Sequence, residues 1–216
     1  NNPAKPFAFL MEASMLGVGV GFDDLGADKD FTIFKPNDTV TAYAIPDTRE
    51  GWVESMSLLL NSYLRQDQST LEFDYSQVRP AGAPIATFGG TAAGPGPLIK
   101  LHNHIRHLFD GRAGEKLSRT DIADIGNLIG VCVVSGNVRR SAELLLGRLD
   151  DDTFLNLKNA EMFPERNSYD PTAPGWGWMS NNSVSTTVGQ DLSRIVEGIA
   201  RGVVVCRRGG RQRRDL

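Results

Sequence analysis

The turn at residues 135–141 constrains the fold of this chain most, because it joins an apolar helical segment to an apolar strand. Upstream of the turn, apolar residues recur at helical spacing and predict a helix with one buried face. These residues are Ile122, Ile125, Ile129 and Val133. Ser118 followed by Asp121 is typical of a helix start. Gly136 can end the helix with a positive φ, and residues 142–146 then predict a buried strand.

Two adjacent arginines, Arg139 and Arg140, lie where the predicted helix ends and the strand begins. The C-terminal end of a helix carries partial negative charge, so the backbone would not attract an anion at this place. The guanidinium groups would have to bind the anion through forked hydrogen bonds, or stack on a base. The alternative is a surface turn with two solvated arginines.

A proline- and glycine-rich stretch at residues 78–97 contains one arginine, Arg79. Prolines and glycines at this density exclude a regular helix and predict a stiff loop with accessible backbone N–H groups. Such a loop with one arginine suits a phosphate ligand. An ordinary proline-rich connection is the alternative.

Glycines also recur at residues 17–22, directly after an apolar segment with helical spacing at residues 6–16. A dinucleotide-binding motif needs a strand before the glycines and a helix after them, whereas the acidic residues 23–30 indicate a loop. We therefore expect a glycine-rich strand that is packed tightly in a barrel.

Apolar residues at helical spacing predict two more helices, at residues 48–64 and 98–108. The second of these contains three histidines, His102, His104 and His107. No carboxylate follows them before Asp110, so histidines on a solvated helix surface are favoured over a metal site.

Length and composition favour one globular domain with a core of its own, since the chain has 216 residues of which 40% are hydrophobic. Its net charge is −3, but residues 201–216 hold six arginines and one aspartate, which leaves −8 on residues 1–200. An acidic body argues against a nucleic-acid platform, so any phosphate site must be a local cluster. No run approaches the ~20 apolar residues of a membrane span and no signal peptide is visible, which favours a cytoplasmic protein.

Five stretches, in the same order, resemble the monomeric adenosylcobalamin-dependent ribonucleoside-triphosphate reductases over roughly residues 4–200. They are PFAFLMEASMLGVGVGF at 6–22, IPDTREGWVES at 45–55, FDYSQVRPAGAPIATFGGTAAGPGPL at 73–98, SGNVRRSAELLL at 135–146 and MSNNSV at 179–184. The resemblance implies an α/β fold, the first half of the family's ten-stranded α/β barrel, with an insertion that helps to form the effector site. Residues 1–200 would form this partial barrel. Residues 201–216 would be an arginine-rich tail outside the family pattern, either disordered or read out of frame.

The resemblance also implies where the two specificity loops lie. Residues 78–97 match the first loop, in which Arg79, Gly82 and Ala83 would bind a deoxynucleotide effector. The second loop, which reaches the substrate, matches the junction of the predicted helix and strand. Its residues are Ser135, Gly136, Asn137, Val138, Arg139 and Arg140. The insertion between the glycine-rich strand and the first loop implies that the complete enzyme is a monomer.

The activity implied is the thiyl-radical reduction of a ribonucleoside triphosphate to the 2′-deoxyribonucleoside triphosphate. Adenosylcobalamin would generate the radical, and a thioredoxin-type reductant would supply the electrons. The chemistry requires three cysteines, whereas this chain has only Cys132 and Cys206, and neither matches a catalytic motif. The catalytic cysteines are expected near or before Asn1 and beyond Leu216. We therefore predict no catalytic and no metal-binding residue here, and we expect Cys132 to be an inert buried thiol.

Two other classes of function stay open on the sequence alone. One is a non-catalytic nucleotide-binding or regulatory protein derived from this fold. The other is nucleic-acid binding through the arginine-rich tail, which would show a steep dependence on salt.

Overall fold

The computed structural model describes residues 2–85, 89–135 and 141–200 of the chain. Helices and strands are interspersed along these residues, as expected for the α/β class, with the third and fourth helices in succession. The helices are α1 (Lys5–Met15), α2 (Arg49–Leu64), α3 (Gly96–Phe109), α4 (Arg119–Val134), α5 (Asp152–Asn156) and α6 (Ser193–Ala200). The strands are β1 (Val20–Asp23), β2 (Asn37–Ala44), β3 (Ser69–Asp74), β4 (Glu143–Arg148) and β5 (Ser180–Ser185).

The long helices begin where the sequence supplies a suitable first turn. The Thr48 hydroxyl accepts a hydrogen bond from the Gly51 amide at 3.0 Å and caps α2. Ser118 and Asp121 form a reciprocal capping box at the start of α4. Helices α1 and α3 both carry a proline in their first turn, where a missing N–H group costs no internal hydrogen bond. The helices predicted from apolar spacing are confirmed.

All the paired strands run parallel, in two separate sheets. Strand β4 lies between β1 and β5, with Val20 opposite Glu143 and Glu143 opposite Ser180. Strands β2 and β3 form a second sheet of two strands, and α2 connects them. Parallel strands require crossover connections, which α2 and α4 provide here. The α/β fold class is confirmed.

The core lies where α1 and α4 meet α2 and α3, and its side chains are almost completely buried. Representative members are Leu10 and Met11 of α1, Leu59 and Leu60 of α2, Ile105 of α3, and Ile125 and Ile129 of α4. In the described part of the chain, no helix has the length and apolar character needed to cross a membrane.

Strand β4 differs from the expected buried strand, because only alternate residues are covered. Leu145 packs into a small cluster with Ala123, Phe154 and Leu157, whereas Leu144 and Leu146 are 38% and 40% exposed. Side chains of a strand alternate between the two faces of the sheet, and α4 and α5 pack on only one of them. The covered face also contains Glu143, at 1% exposure.

The glycine-rich strand is present as β1, but the expectation that its glycines are tightly packed is wrong. A Cβ added at Gly19 or Gly21 would meet its nearest atoms at 3.7 and 3.9 Å, which is ordinary contact. The close approach comes instead from α4, since a Cβ at Gly126 would lie 2.5 Å from the Phe22 ring. The acidic residues that follow β1 form a 3₁₀ helix at Leu25–Lys29.

Candidate functional site

The carboxyl ends of β2 and β3 create the candidate site, because parallel strands end at the same edge of a sheet. The Ile45 amide donates to the Asp74 carbonyl at 2.9 Å and extends the pairing one residue beyond the end of β2. After β3, the Val78 amide donates to the Tyr75 carbonyl at 3.0 Å and forms a tight turn. Arg79 follows this turn, so it emerges beside the residues that leave β2.

Arg79 forms an ion pair with Asp47 at this edge. Its Nε donates to the Asp47 Oδ2 at 2.6 Å, and the two side chains are 38% and 31% exposed. A longer contact of 3.5 Å joins Nη1 to the Pro84 carbonyl. Among the described residues, no acceptor lies within hydrogen-bond distance of Nη2. The carboxylate therefore holds one side of the guanidinium, and the other side is available to an anion.

The two described arms of the first loop, residues 80–85 and 89–94, pair with each other, whereas residues 86–88 lie outside the described residues. Pro84 and Thr91 form an antiparallel bridge, the Gly82 amide donates to the Ala92 carbonyl at 2.9 Å, and the Ala92 amide donates to the Ala83 carbonyl at 2.8 Å. Gly94 has φ +74°, and a Cβ there would lie 2.8 Å from the Ala81 nitrogen. The expectation of free backbone donors is wrong for Gly82 and Ala83, whose amides already donate within the loop.

A buried polar chain lies behind the hairpin. His102 of α3 is 1% exposed, so the expectation that it lies on a solvated surface is wrong. Its Nδ1 lies 2.7 Å from the Tyr75 hydroxyl, and its Nε2 lies 3.2 Å from the Ser55 hydroxyl of α2. The imidazole stacks on the Phe73 ring, with 4.4 Å between the ring centroids. Burial, followed by the nearby positive charge of Arg106, lowers the pKa of His102 to about 3, so the ring is neutral.

The other two histidines of α3 point elsewhere. His104 contacts the edge of the Trp176 ring at 5.4 Å between centroids, and His107 is exposed. Both line a cavity of about 360 Å³ between α3, α4 and residues 162–166. None of the residues lining this cavity belongs to either predicted loop. The described residues also contain no group of three or more His, Cys, Asp or Glu side chains placed to hold a metal ion.

The second predicted loop is described only at its ends. Ser135 follows α4 and its hydroxyl donates to the Val131 carbonyl at 2.6 Å. Gly136, Asn137, Val138, Arg139 and Arg140 lie outside the described residues. The chain returns at Ser141, whose hydroxyl donates to the Val18 carbonyl at 3.2 Å. The two ends are thus fastened to α4 and to the residues preceding β1.

Glu143, two residues after that return, is a buried carboxyl that sequence reasoning missed. Neither of its oxygens has a hydrogen-bond partner among the described residues. A Cβ at Gly130 of α4 would lie 2.4 Å from its Oε1, so any larger residue at position 130 would require the Glu143 and Met179 side chains to shift. Burial raises the pKa of Glu143 to about 8. The sequence did contain a signal, because Glu143 lies two positions before Leu145 and therefore faces the same side of β4.

Cys132 is buried, as expected. Its side chain is buried in α4, and burial raises the pKa of the thiol to about 12. The thiolate, which is the reactive form, is therefore scarce at neutral pH. Cys206 and the rest of residues 201–216 lie outside the described residues.

Comparison with known proteins connects this geometry to one family. Residues 22–109 match the model of the insertion domain of B12-dependent ribonucleotide reductase. An adenosylcobalamin-dependent ribonucleoside-triphosphate reductase from Euglena gracilis is 51% identical over 90% of this chain and 26% of its own length. A probable enzyme of the same name from Dictyostelium discoideum is 43% identical, with 92% of this chain and 27% of its own length covered.

The fold agrees with the sequence. A crystal structure of a B12-dependent (class II) ribonucleotide reductase superposes with a TM-score of 0.67 at 33% identity. The match covers 85% of this chain and 29% of that protein. The chain thus spans about a quarter to a third of the length of the curated relatives that it matches.

Proposed function

Because the chain belongs to the family of B12-dependent ribonucleotide reductases, we propose that it forms the effector- and substrate-selecting part of an adenosylcobalamin-dependent ribonucleoside-triphosphate reductase. The complete enzyme reduces a ribonucleoside triphosphate to the 2′-deoxyribonucleoside triphosphate. A deoxynucleotide effector selects the substrate, and a thioredoxin-type protein supplies the electrons. The observation that carries the proposal is the ion pair of Arg79 with Asp47 beside the hairpin loop.

Arg79 binds the effector phosphates in this proposal. Asp47 fixes the guanidinium through Nε, Nη1 lies against the Pro84 carbonyl, and Nη2 is left to donate to the anion. Gly82 and Ala83 contribute differently, since their amides are used inside the hairpin. They shape the surface against which the effector lies, and Gly82 does so with φ +86°.

The second loop carries the effector signal to the substrate. It follows α4, which is buried over most of its length and whose start is fixed by the capping box and by Arg112 pairing with Asp121 at 2.7 Å. The described helix thus leads to Ser135, the residue at which the second loop begins. Within the loop, Arg139 and Arg140 reach the substrate.

The insertion domain supports a monomeric enzyme. Residues 22–109, which match that domain, contain the parallel pair β2–β3, helix α2 and the first loop. The proposal therefore includes a monomeric enzyme, in which this insertion helps to form the effector site.

Adenosylcobalamin supplies the radical chemistry, and no described residue is assigned to hold it. Cys132 is buried and its pKa is raised to about 12, so we assign it no redox role. The residues of this chain contribute nucleotide selection, not bond cleavage.

The test is the substitution Arg79→Ala in a complete reductase that carries this segment. Losing a hydrogen bond to a charged group costs about 1.5–3 kcal/mol, so effector binding should weaken roughly 10- to 150-fold. Turnover without effector should change far less. Arg148→Ala is the matched control, because Arg148 is also an exposed arginine paired with an aspartate, Asp150, at 2.7 Å. Equal losses with and without effector would show that Arg79 does not bind it.

A further inference from the structure

The contacts of His102 determine which of its nitrogens carries the proton. The Ser55 hydroxyl has one hydrogen and donates it to the Trp52 carbonyl at 2.8 Å. The Ser55 oxygen can therefore only accept from His102, so Nε2 carries the hydrogen. Nδ1 of the neutral ring is then an acceptor, and the Tyr75 hydroxyl donates to it at 2.7 Å.

These hydrogen bonds run in one direction, from Tyr75 through His102 and Ser55 to the backbone of α2. Each donor in the series has one acceptor, and Ser55 and His102 are almost completely buried. A buried series that is fully satisfied fixes its members, since breaking one bond leaves a polar group without a partner. Stacking on Phe73 of β3 fixes the plane of the imidazole as well.

Tyr75 connects this series of hydrogen bonds to the first loop. It is the first residue after β3, and its carbonyl accepts from the Val78 amide in the turn that precedes Arg79. Val78 is itself buried, so the turn is held from both ends. Arg79 then meets Asp47 at 2.6 Å, a distance that a small shift of the turn would lengthen.

We propose that His102, as its Nε2–H tautomer between Ser55 and Tyr75, is a positioning residue that fixes Arg79 at the effector site. It touches neither effector nor substrate and acts only through Tyr75 and the turn. The role of Arg79 in effector binding rests on the proposed function.

The test compares Tyr75→Phe with Tyr63→Phe in the complete reductase. Both substitutions remove one half-buried hydroxyl that donates a hydrogen bond, because the Tyr63 hydroxyl donates to the Asp110 Oδ1 at 2.6 Å. Tyr63 lies at the end of α2 and is not part of the turn before Arg79. Tyr75→Phe should weaken effector binding roughly two- to tenfold and speed hydrogen exchange of the Val78 amide, which donates to the Tyr75 carbonyl. Tyr63→Phe should do neither, although both variants lower the melting temperature.

A second pair of variants separates the two nitrogens of the imidazole. An asparagine at position 102 places its carboxamide near the Nδ1 position and can still accept from Tyr75, whereas a glutamine reaches toward Ser55. His102→Asn should therefore retain more effector affinity than His102→Gln. The proposal is overturned if Tyr75→Phe and Tyr63→Phe change effector affinity equally, or if His102→Gln retains the greater affinity. If the parent enzyme binds no deoxynucleotide effector, the proposed function fails, and the exchange rate of the Val78 amide still decides whether His102 holds the turn.

Discussion

Strand β4 should become less stable as the pH rises, and Glu143→Gln should remove most of that dependence. The carboxyl of Glu143 is 1% exposed and without a partner among the described residues, and burial raises its pKa from 4.5 to about 8. Between these two values the unfolded chain releases the proton and the folded chain keeps it. The stabilisation is therefore complete below pH 4.5 and is lost as the pH rises through about 8. At pH 7 the difference amounts to about 3 kcal/mol relative to pH 4.

Hydrogen exchange of the β4 amides in a complete reductase measures this loss. Opening free energies, corrected for the intrinsic pH dependence of exchange, should fall between pH 5 and pH 8 in the parent and stay nearly constant in Glu143→Gln. Glu72→Gln is the matched control, because Glu72 is a strand glutamate on an exposed position of β3. An opening free energy that does not fall with pH in the parent would refute the reasoning, since it would mean that a cation stabilises the Glu143 carboxylate.

Two further predictions concern the second loop and the isolated chain. In a complete reductase, Arg139→Ala should flatten the effector-dependent preference among the four substrates and leave effector affinity nearly unchanged. Competition assays with mixed substrates measure this preference. If the preference is preserved, Arg139 does not couple the two sites. The chain of 216 residues, supplied with adenosylcobalamin and a dithiol, should form no deoxynucleotide, because it has two cysteines where the radical chemistry needs three; product above a control without protein would contradict this.

The local features of the fold could be predicted because their signals lie within a few residues of each other. Ser118 and Asp121 are three positions apart and form the capping box at the predicted place. The apolar spacing of residues 48–64 gives α2 almost to the residue, with Thr48 as its cap. In both cases the deciding contacts are made within one helical turn.

Features that depend on distant contacts could not be predicted in the same way. His102 is buried because Ser55 and Tyr75, 47 and 27 positions away, enclose its ring. The Asp47–Arg79 pair joins residues 32 positions apart and exists because β2 and β3 run parallel. Sequence reasoning found Arg79 by the composition of its loop, but it could not find the carboxylate that holds it. In β4, a run of three leucines concealed the alternation that places Glu143 with Leu145 under α4.

The pairing of β1 with β4 also determines the order in which parts of the chain can fold during translation. Val20 lies opposite Glu143, so β1 is made 123 positions before the strand that pairs with it. At the usual 5–20 residues per second, translation takes about 6–25 s to cover that interval. The unit β2–α2–β3 closes over far fewer positions and can form within it. During this interval a nascent chain therefore contains a folded insertion and a β1 strand without its partner. Chaperones would have the most unpaired strand to protect during the same interval.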